Sequence, residues 1–184
     1  MGSIIKVNEY KDFGNNAIMT SDGAGNVTVN AQGLQNTPAL KVIRASSNQT
    51  GIVSATSTKI QFNSEDSLTT SGTWDSTNYR WTPGVAGKYL ISINVEIVAA
   101  SDTAKQCVAD IYKNGSSICY GYLNMNAFDL RSGGSNAIGA ATIDTATDTD
   151  YYEGFVYMQT NSGTVSARGQ GDNTNLIAYK LGIW

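Results

Sequence analysis

Histidine is absent from this 184-residue chain, which also has only two prolines and two cysteines. Without histidine the sequence lacks the side chain most often used as a general base and as a metal ligand. Charged residues make up 15% of the chain, and 12 basic against 15 acidic residues give a net charge of −3. No basic stripe is available for nucleic acid. We therefore expect no catalytic residues, no cofactor and no nucleic-acid partner.

Long apolar runs are missing as well. The longest apolar-rich stretch, Tyr89 to Ala100, is interrupted by Ser92, Asn94 and Glu96, and it is too short to span a bilayer. The first residues, Met1 to Lys6, do not contain the apolar core of a secretory signal. We expect neither membrane insertion nor an export signal.

Residues 1–38 differ from the rest of the chain in their pattern of apolar and turn-forming residues. Short apolar islands alternate there with turn-forming residues, and Asp22–Asn26 is a strong turn signal because Gly, Asn and Asp tolerate positive φ. The flanking runs predict a short hairpin, which is too small to be stable alone. Residues 33–38 are typical of a linker that ends at Pro38. We expect residues 1–38 to be an anchoring segment that packs on something else.

From Ala39 onward the pattern is that of β-strands. Between Tyr89 and Ile97 apolar and polar residues alternate, which places one face of a strand in a core. Short strands separated by Gly, Ser, Asn and Asp predict a sandwich or jelly roll, and no long helix is predicted. The sequence therefore indicates an all-β domain over residues 39–184.

Asn114-Gly115 is the clearest local signal, because this dipeptide favours a two-residue type I′ hairpin turn. A regular register from that turn predicts one buried face. It comprises Cys107, Ala109, Ile111, Ile118, Tyr120 and Tyr122. The same register places Cys107 and Cys119 on opposite faces, so both are predicted to be free thiols.

Three blocks of sequence carry a family resemblance. Trp74, Trp81, Gly87 and Tyr89 have the spacing of the signature of C1q-like (C1q/TNF-type) jelly rolls, with Ile91 where that family prefers Phe. The segment 110–115, ending in Lys-Asn-Gly, is similar to the family's hairpin at Asn114 and Gly115. The closing strand of the family is matched by 176–181, with Ala178 in place of Gly and with Tyr179. Residues 39–184 thus resemble a C1q-like domain, and the matching residues are expected to be scaffold.

The resemblance implies a homotrimer, because C1q-like domains assemble around a threefold axis. The apolar end of the chain fits this expectation, since an uncovered apolar edge strand would be sticky. We take Leu181, Ile183 and Trp184 as candidate residues of the trimer interface.

The layout as a whole, an Asn/Gly/Thr-rich anchor before a C1q-like head, resembles small virion proteins of tailed bacteriophages. The leading hypothesis is a non-enzymatic structural protein of the virion, assembled in the host cytoplasm. Its residues 1–38 would bind capsid or tail proteins, and its trimeric knob would decorate the particle as a head or tail fibre. Attachment to a host surface glycan or protein is part of this hypothesis. The alternatives are a secreted bacterial C1q-like adhesin or carbohydrate-binding module, and a polysaccharide depolymerase.

Two groups of side chains are candidates for chemistry. The carboxylates of Asp144, Asp148 and Asp150 form a weak candidate site for Ca²⁺, and together with Glu153 they are the best acidic cluster for glycoside hydrolysis. A solvated turn explains the same residues. Tyr122 and Tyr152 are candidates for a receptor-binding surface, for which core packing is the alternative.

Overall fold

The computed structural model describes residues 9–29, 38–66, 72–99, 104–124, 135–161 and 164–181. All regular secondary structure in these ranges is β-structure, as the sequence predicted. They include no helix of the length and apolarity needed to cross a membrane. The chain divides into two compact units, Met1–Thr37 and Pro38–Trp184.

The N-terminal unit contains a three-stranded antiparallel sheet in the order β1-β2-β3, formed by β1 (Glu9–Lys11), β2 (Ala17–Ser21) and β3 (Val27–Val29). Both of its turns use an Asp and an Asn four residues apart. The Asp12 carboxylate accepts the backbone N–H of Asn16 at 2.9 Å, and the Asp22 carboxylate accepts that of Asn26 at 3.1 Å. The predicted hairpin around Asp22–Asn26 is confirmed, and β1 adds a strand that the sequence pattern did not indicate.

The larger unit is a two-sheet sandwich of thirteen strands within the described residues. They are β4 (Ala39–Ile43), β5 (Gln49–Ile52), β6 (Thr56–Lys59), β7 (Ser64–Glu65), β8 (Thr73–Asp75), β9 (Arg80–Thr82), β10 (Gly87–Ala99), β11 (Ala104–Lys113), β12 (Ser116–Asn124), β13 (Ser135–Ala146), β14 (Tyr152–Thr160), β15 (Val165–Ala167) and β16 (Asn175–Lys180). Sheet I has the order β5-β15-β10-β16-β4-β7. Strands β15 and β16 pair with successive parts of one edge of β10, and β13 pairs with its opposite edge. Sheet II has the order β12-β11-β14-β9-β8, with β6 also paired to β14.

The core lies between the two sheets, and β10 is the central strand of sheet I that contributes side chains to it. The alternation predicted for this strand is confirmed, because its five apolar residues are at most 1% exposed. They are Tyr89, Ile91, Ile93, Val95 and Ile97. Sheet II contributes Cys107, Ala109 and Ile111 from β11 to the same core. Each large apolar side chain buried in this way stabilises the fold by about 1.5–3 kcal/mol.

The hairpin between β11 and β12 has the predicted turn and a register that differs from the predicted one. Asn114 and Gly115 have φ values of 51° and 79°, as a type I′ turn requires. A bulge follows at once: Tyr112 lies opposite Ser117, but Ile111 lies opposite Cys119, so Ile118 is the extra residue. Such a shift by one residue moves every later side chain of the strand to the other face.

The bulge corrects the predicted buried face of this hairpin. Ile118, Tyr120 and Tyr122 are exposed, whereas Cys119 and Leu123 pack against the core. Cys107 and Cys119 therefore share the inner face rather than lying on opposite faces. Both are nonetheless free thiols, because Cys119 lies opposite Ile111 and Cys107 lies opposite Leu123.

Candidate functional site

The four signature residues are part of the scaffold. Trp74 and Trp81 lie opposite each other on β8 and β9, and Trp81 is fully buried. Its ring packs edge-on against Tyr89 with the centroids 5.8 Å apart, while the Tyr89 hydroxyl donates to the carbonyl of Val85 at 2.6 Å. Burial raises the pKa of Tyr89 to about 12. Gly87 and Tyr89 belong to β10 of sheet I and the two tryptophans to sheet II, so the contact between Trp81 and Tyr89 connects the two sheets.

Tyr152, predicted as a receptor-surface residue, is fully buried. Its ring packs against Trp81, and its hydroxyl donates to the Asp144 carboxylate at 2.6 Å. Desolvation, helped by the neighbouring Asp144 carboxylate, raises the pKa of Tyr152. The receptor assignment is wrong for Tyr152 because its strand turns that side chain into the core. Tyr122, the other candidate, is 54% exposed.

The acidic cluster at Asp144 and Asp150 is already neutralised in part by a lysine side chain of the same chain. The Lys113 ammonium lies 2.9 Å from the Asp144 carboxylate and 3.1 Å from that of Asp150. Asp150 also accepts hydrogen bonds from the backbone N–H of Thr147 and the side chain of Asn114, and these bonds, together with Lys113, hold its pKa well below the usual range.

The remaining carboxylates do not complete a metal site. Asp148 is exposed, and Glu153 forms a separate ion pair with Lys59 at 2.5 Å. In the part of the chain that the structure describes, no three His, Cys, Asp or Glu side chains are grouped to hold a metal. The geometry favours a structural ion cluster that joins β11 to β13 over the Ca²⁺ site considered from the sequence.

Sheet I presents an apolar face to the outside, which we define by Leu90, Ile143, Ile177 and Tyr179. Leu90 on β10 lies between Ile143 on β13 and Tyr179 on β16, so the three side chains form one row across three strands. Ile177 belongs to the next row, opposite Ser92. The four side chains are between 39% and 62% exposed. A row of large apolar groups on the outer face of a central strand is typical of an interaction surface.

The candidate interface residues of the sequence analysis lie near this face only in part. Leu181 is half-buried, and its N–H donates to the carbonyl of Lys88 at 2.8 Å. Ile183 and Trp184 lie outside the described residues. Of the signature pair on β16, Ala178 is buried and Tyr179 is exposed on the apolar face. The sequence signal for this face was the apolar residue at position 90 among polar neighbours on the same side of β10.

Sheet II carries an aromatic face on its outer side, formed by Tyr112, Tyr120, Tyr122, Phe155 and Tyr157. Tyr122, Val108 and Tyr157 form one row across β12, β11 and β14. The next row contains Tyr120, Asp110 and Phe155. Tyr112 and Phe155 stack with their centroids 4.1 Å apart, whereas Tyr120 is 65% exposed. The sequence analysis named Tyr122 of this face as a receptor-surface candidate, whereas the register predicted for its hairpin placed Tyr120 in the core.

Asp110 is the acidic group at the centre of the aromatic face. It accepts a hydrogen bond from the Ser117 hydroxyl at 2.7 Å. Among the described residues no lysine or arginine forms an ion pair with it, and Lys59, which lies opposite Phe155 on β6, is paired with Glu153. Partial burial raises the pKa of Asp110, and the bond from Ser117 opposes that rise. The face therefore offers a hydrogen-bond acceptor surrounded by rings.

Comparison with known proteins identifies the fold. No family model and no curated protein sequence matches this chain. Among solved structures, Eiger TNF from S. frugiperda superposes with a TM-score of 0.60 at 10% identity, over 80% of this chain and 94% of that chain. Murine APRIL at pH 5.0 superposes with a TM-score of 0.53 at 10% identity, over 79% of this chain and 99% of that chain. The chain thus has the TNF/C1q-like jelly-roll fold that the signature residues predicted.

Proposed function

We propose that this chain is a homotrimeric, non-enzymatic structural protein of a tailed-phage particle. In this proposal residues 39–184 form the knob, and residues 1–38 bind a capsid or tail protein. The single observation that carries the assembly is the apolar face of sheet I. A jelly roll that kept this face in water would expose a contiguous apolar surface of the kind that marks protein interfaces.

Self-association accounts for the apolar face better than packing within one protomer does. Leu90, Ile143 and Tyr179 lie on three neighbouring strands of sheet I, and its opposite side is already filled by the core. Burying the exposed half of each of these side chains contributes about 1 kcal/mol. A contact repeated at every protomer boundary of a ring accumulates several such contributions. The C1q-like resemblance implies that the ring has three members.

The N-terminal unit supports the anchoring part of the proposal. Its three strands have three to five residues each, and Tyr10, Phe13 and Val27 are exposed. A sheet of this size does not bury enough apolar surface to be stable without packing on another surface. An exposed Phe13 at the turn between β1 and β2 is a suitable apolar contact for a particle protein.

The particle itself provides the test. Quantitative mass spectrometry of virions purified from the source of this sequence should find the chain at a copy number that is a multiple of three. Several hundred copies would indicate decoration of the capsid, and a few trimers would indicate a fibre. If the chain is absent from purified particles, the virion role is wrong, and a copy number that three does not divide would contradict the trimer.

A further inference from the structure

We propose that the aromatic face of sheet II binds a neutral oligosaccharide, with Tyr120 and Tyr122 as stacking surfaces and Asp110 as a hydrogen-bond acceptor. The inference goes beyond the proposed structural role, and it rests on the proposed virion only for its biological purpose, which would be attachment to a host-surface glycan. The binding chemistry belongs to the single protomer.

The arrangement of rings is the first step of the argument. Tyr120 and Tyr122 are two residues apart on β12, so their side chains project from the same face about 7 Å apart. Both are more than half exposed, although each lies beside inward-packed neighbours. Exposed tyrosines offer a flat apolar body and a polar hydroxyl at a low entropic cost of ordering. The C–H faces of pyranose rings complement such flat rings.

The polar groups are the second step. Asp110 lies between Tyr120 and Phe155 in its row, and its carboxylate can accept further hydrogen bonds beside the one from Ser117. Gln106 and Gln159 lie opposite each other at one end of the face and add amide groups. The Tyr122 hydroxyl is within 3.3 Å of the Gln106 amide oxygen, so a polar group borders the ring that a sugar would cover. A few convergent polar groups on an apolar surface are typical of a site that orients a small ligand.

Charge determines the class of sugar. The carboxylate of Asp110 repels sulfated, phosphorylated and uronic acid residues, while sugar hydroxyls donate to it. A cationic peptide could also approach a carboxylate among aromatic rings, through ion-pair and cation–π contacts. The amides of Gln106 and Gln159, which both donate and accept, favour the hydroxyl-rich ligand over the cation.

The geometry of the sandwich keeps this site available in the assembled protein. The aromatic face and the apolar face lie on the outer sides of different sheets. A trimer in which the sheet I faces converge on the threefold axis leaves the outer side of sheet II away from that axis. Three weak sites on one knob gain strength together because the second and third contacts are intramolecular.

The test uses the full chain on a printed array of neutral glycans, followed by isothermal titration with maltohexaose, cellohexaose and the hexamer of N-acetylglucosamine, and with hexalysine as a cationic probe. The wild type should bind neutral glycans saturably and should not bind hexalysine. The double variant Tyr120→Ala/Tyr122→Ala should bind at least tenfold more weakly. Asp110→Asn, which keeps the shape of the side chain, should bind about tenfold more weakly because a charge-assisted bond is lost.

The controls distinguish a loss of glycan binding at the aromatic face from a loss of binding caused by a failure to assemble. Tyr10→Ala removes an exposed tyrosine of the N-terminal unit and should leave glycan binding unchanged. Sedimentation of each variant shows whether lost binding accompanies lost assembly, and lost binding by an intact assembly supports the proposal. Absence of binding to every neutral glycan, binding that survives both variants, or binding of hexalysine in place of sugar would overturn it.

Discussion

At the scale of single residues, glycine sets how closely the two sheets can approach at one edge of the sandwich. A Cβ added at Gly121 of β12 would lie 2.0 Å from the carbonyl oxygen of Gly139 on β13. The obstacle is backbone, which cannot rotate away as a side chain can. Beside this contact the Cys119 thiol donates to the Ala141 carbonyl at 3.4 Å. The edge between β12 and β13 therefore depends on a close approach of two backbones.

The variant Gly121→Ala should lower the free energy of unfolding by about 3 kcal/mol or more, because the strands must separate to admit the methyl group. Gly51→Ala is a suitable control, since its φ of 76° is strained but nothing lies within 4 Å of the new Cβ. That control should cost about 1–2 kcal/mol. Urea denaturation of both variants measures the difference, and equal losses would contradict the proposed backbone contact.

Lys113 is the second residue whose role can be isolated. Lys113→Met keeps the length of the side chain but leaves Asp144 and Asp150 without their shared ammonium. The free energy of unfolding at pH 7 should fall by about 1–3 kcal/mol, the usual cost of an unpaired, partly buried polar group. Thermal unfolding at pH 7 measures the loss, and an unchanged melting temperature would show that solvent already screens this cluster.

The pH dependence of stability follows from Asp150. Hydrogen bonds from Thr147 and Asn114, with the Lys113 ion pair, lower its pKa in the folded state below the value of about 3.9 for an unfolded chain. The stabilisation is complete above pH of about 4 and is lost as the pH falls toward the folded pKa. Between pH 5 and pH 2 the wild type should therefore lose more stability than Asp150→Asn does. Parallel melting curves for the two proteins would contradict this assignment.

At the scale of elements, the β11–β12 hairpin shows what a sequence specifies and what it leaves open. The turn was predictable, because Asn114 and Gly115 have the conformations that this dipeptide favours. The bulge beyond it was not, since no Gly or Pro marks Ile118 as an extra residue. Side chains alternate with a period of two, so that one insertion moved Tyr120 and Tyr122 from the predicted core to the surface.

The two-residue alternation of side chains along a strand also explains why some other predicted core faces were correct and others were not. The alternation of β10 was strong enough to give its core face correctly, because the polar residues mark the opposite side. Tyr151 and Tyr152 are neighbours, so one of them faces the core, and nothing in the local sequence says which. The aromatic face joins β11, β12 and β14 through long-range pairing, and only the folded register brings Asp110 beside Phe155.

The turn of this hairpin yields a prediction that separates backbone from side-chain effects. Asn114 tolerates a positive φ, and its side chain also bonds to Asp150 and to the N–H of Tyr151. Both Asn114→Gly and Asn114→Ala remove these hydrogen bonds, but only alanine keeps a Cβ at the positive φ without the polar side chain that lets asparagine tolerate it. The alanine variant should be less stable than the glycine variant by about 1 kcal/mol. Chemical denaturation measures both, and a more stable alanine variant would contradict the account.

At the scale of the whole molecule, the chain consists of an N-terminal unit and a sandwich, and the sandwich has two different outer surfaces. The apolar face of sheet I is proposed to bind copies of the chain, and the aromatic face of sheet II is proposed to bind sugar. These roles use opposite sides of one core, so substitutions on one side should leave the other function intact.

The double variant Leu90→Glu/Ile143→Glu should abolish self-association, because it places two charges on neighbouring strands in the middle of the apolar face. The isolated fold should persist, as both side chains point away from the core. Circular dichroism would check the fold and sedimentation velocity the mass. Val53→Glu, at an exposed site outside both faces, is the matched control and should assemble like the wild type. A double variant that still assembles would assign the interface to another surface.

The most direct test is the mass of the intact wild-type protein in solution. Sedimentation equilibrium of the full chain over a wide range of concentration should give a single species of three times the 19.5 kDa protomer mass. A mass equal to that of one protomer at every concentration would contradict the proposed trimer, and with it the role assigned to the apolar face.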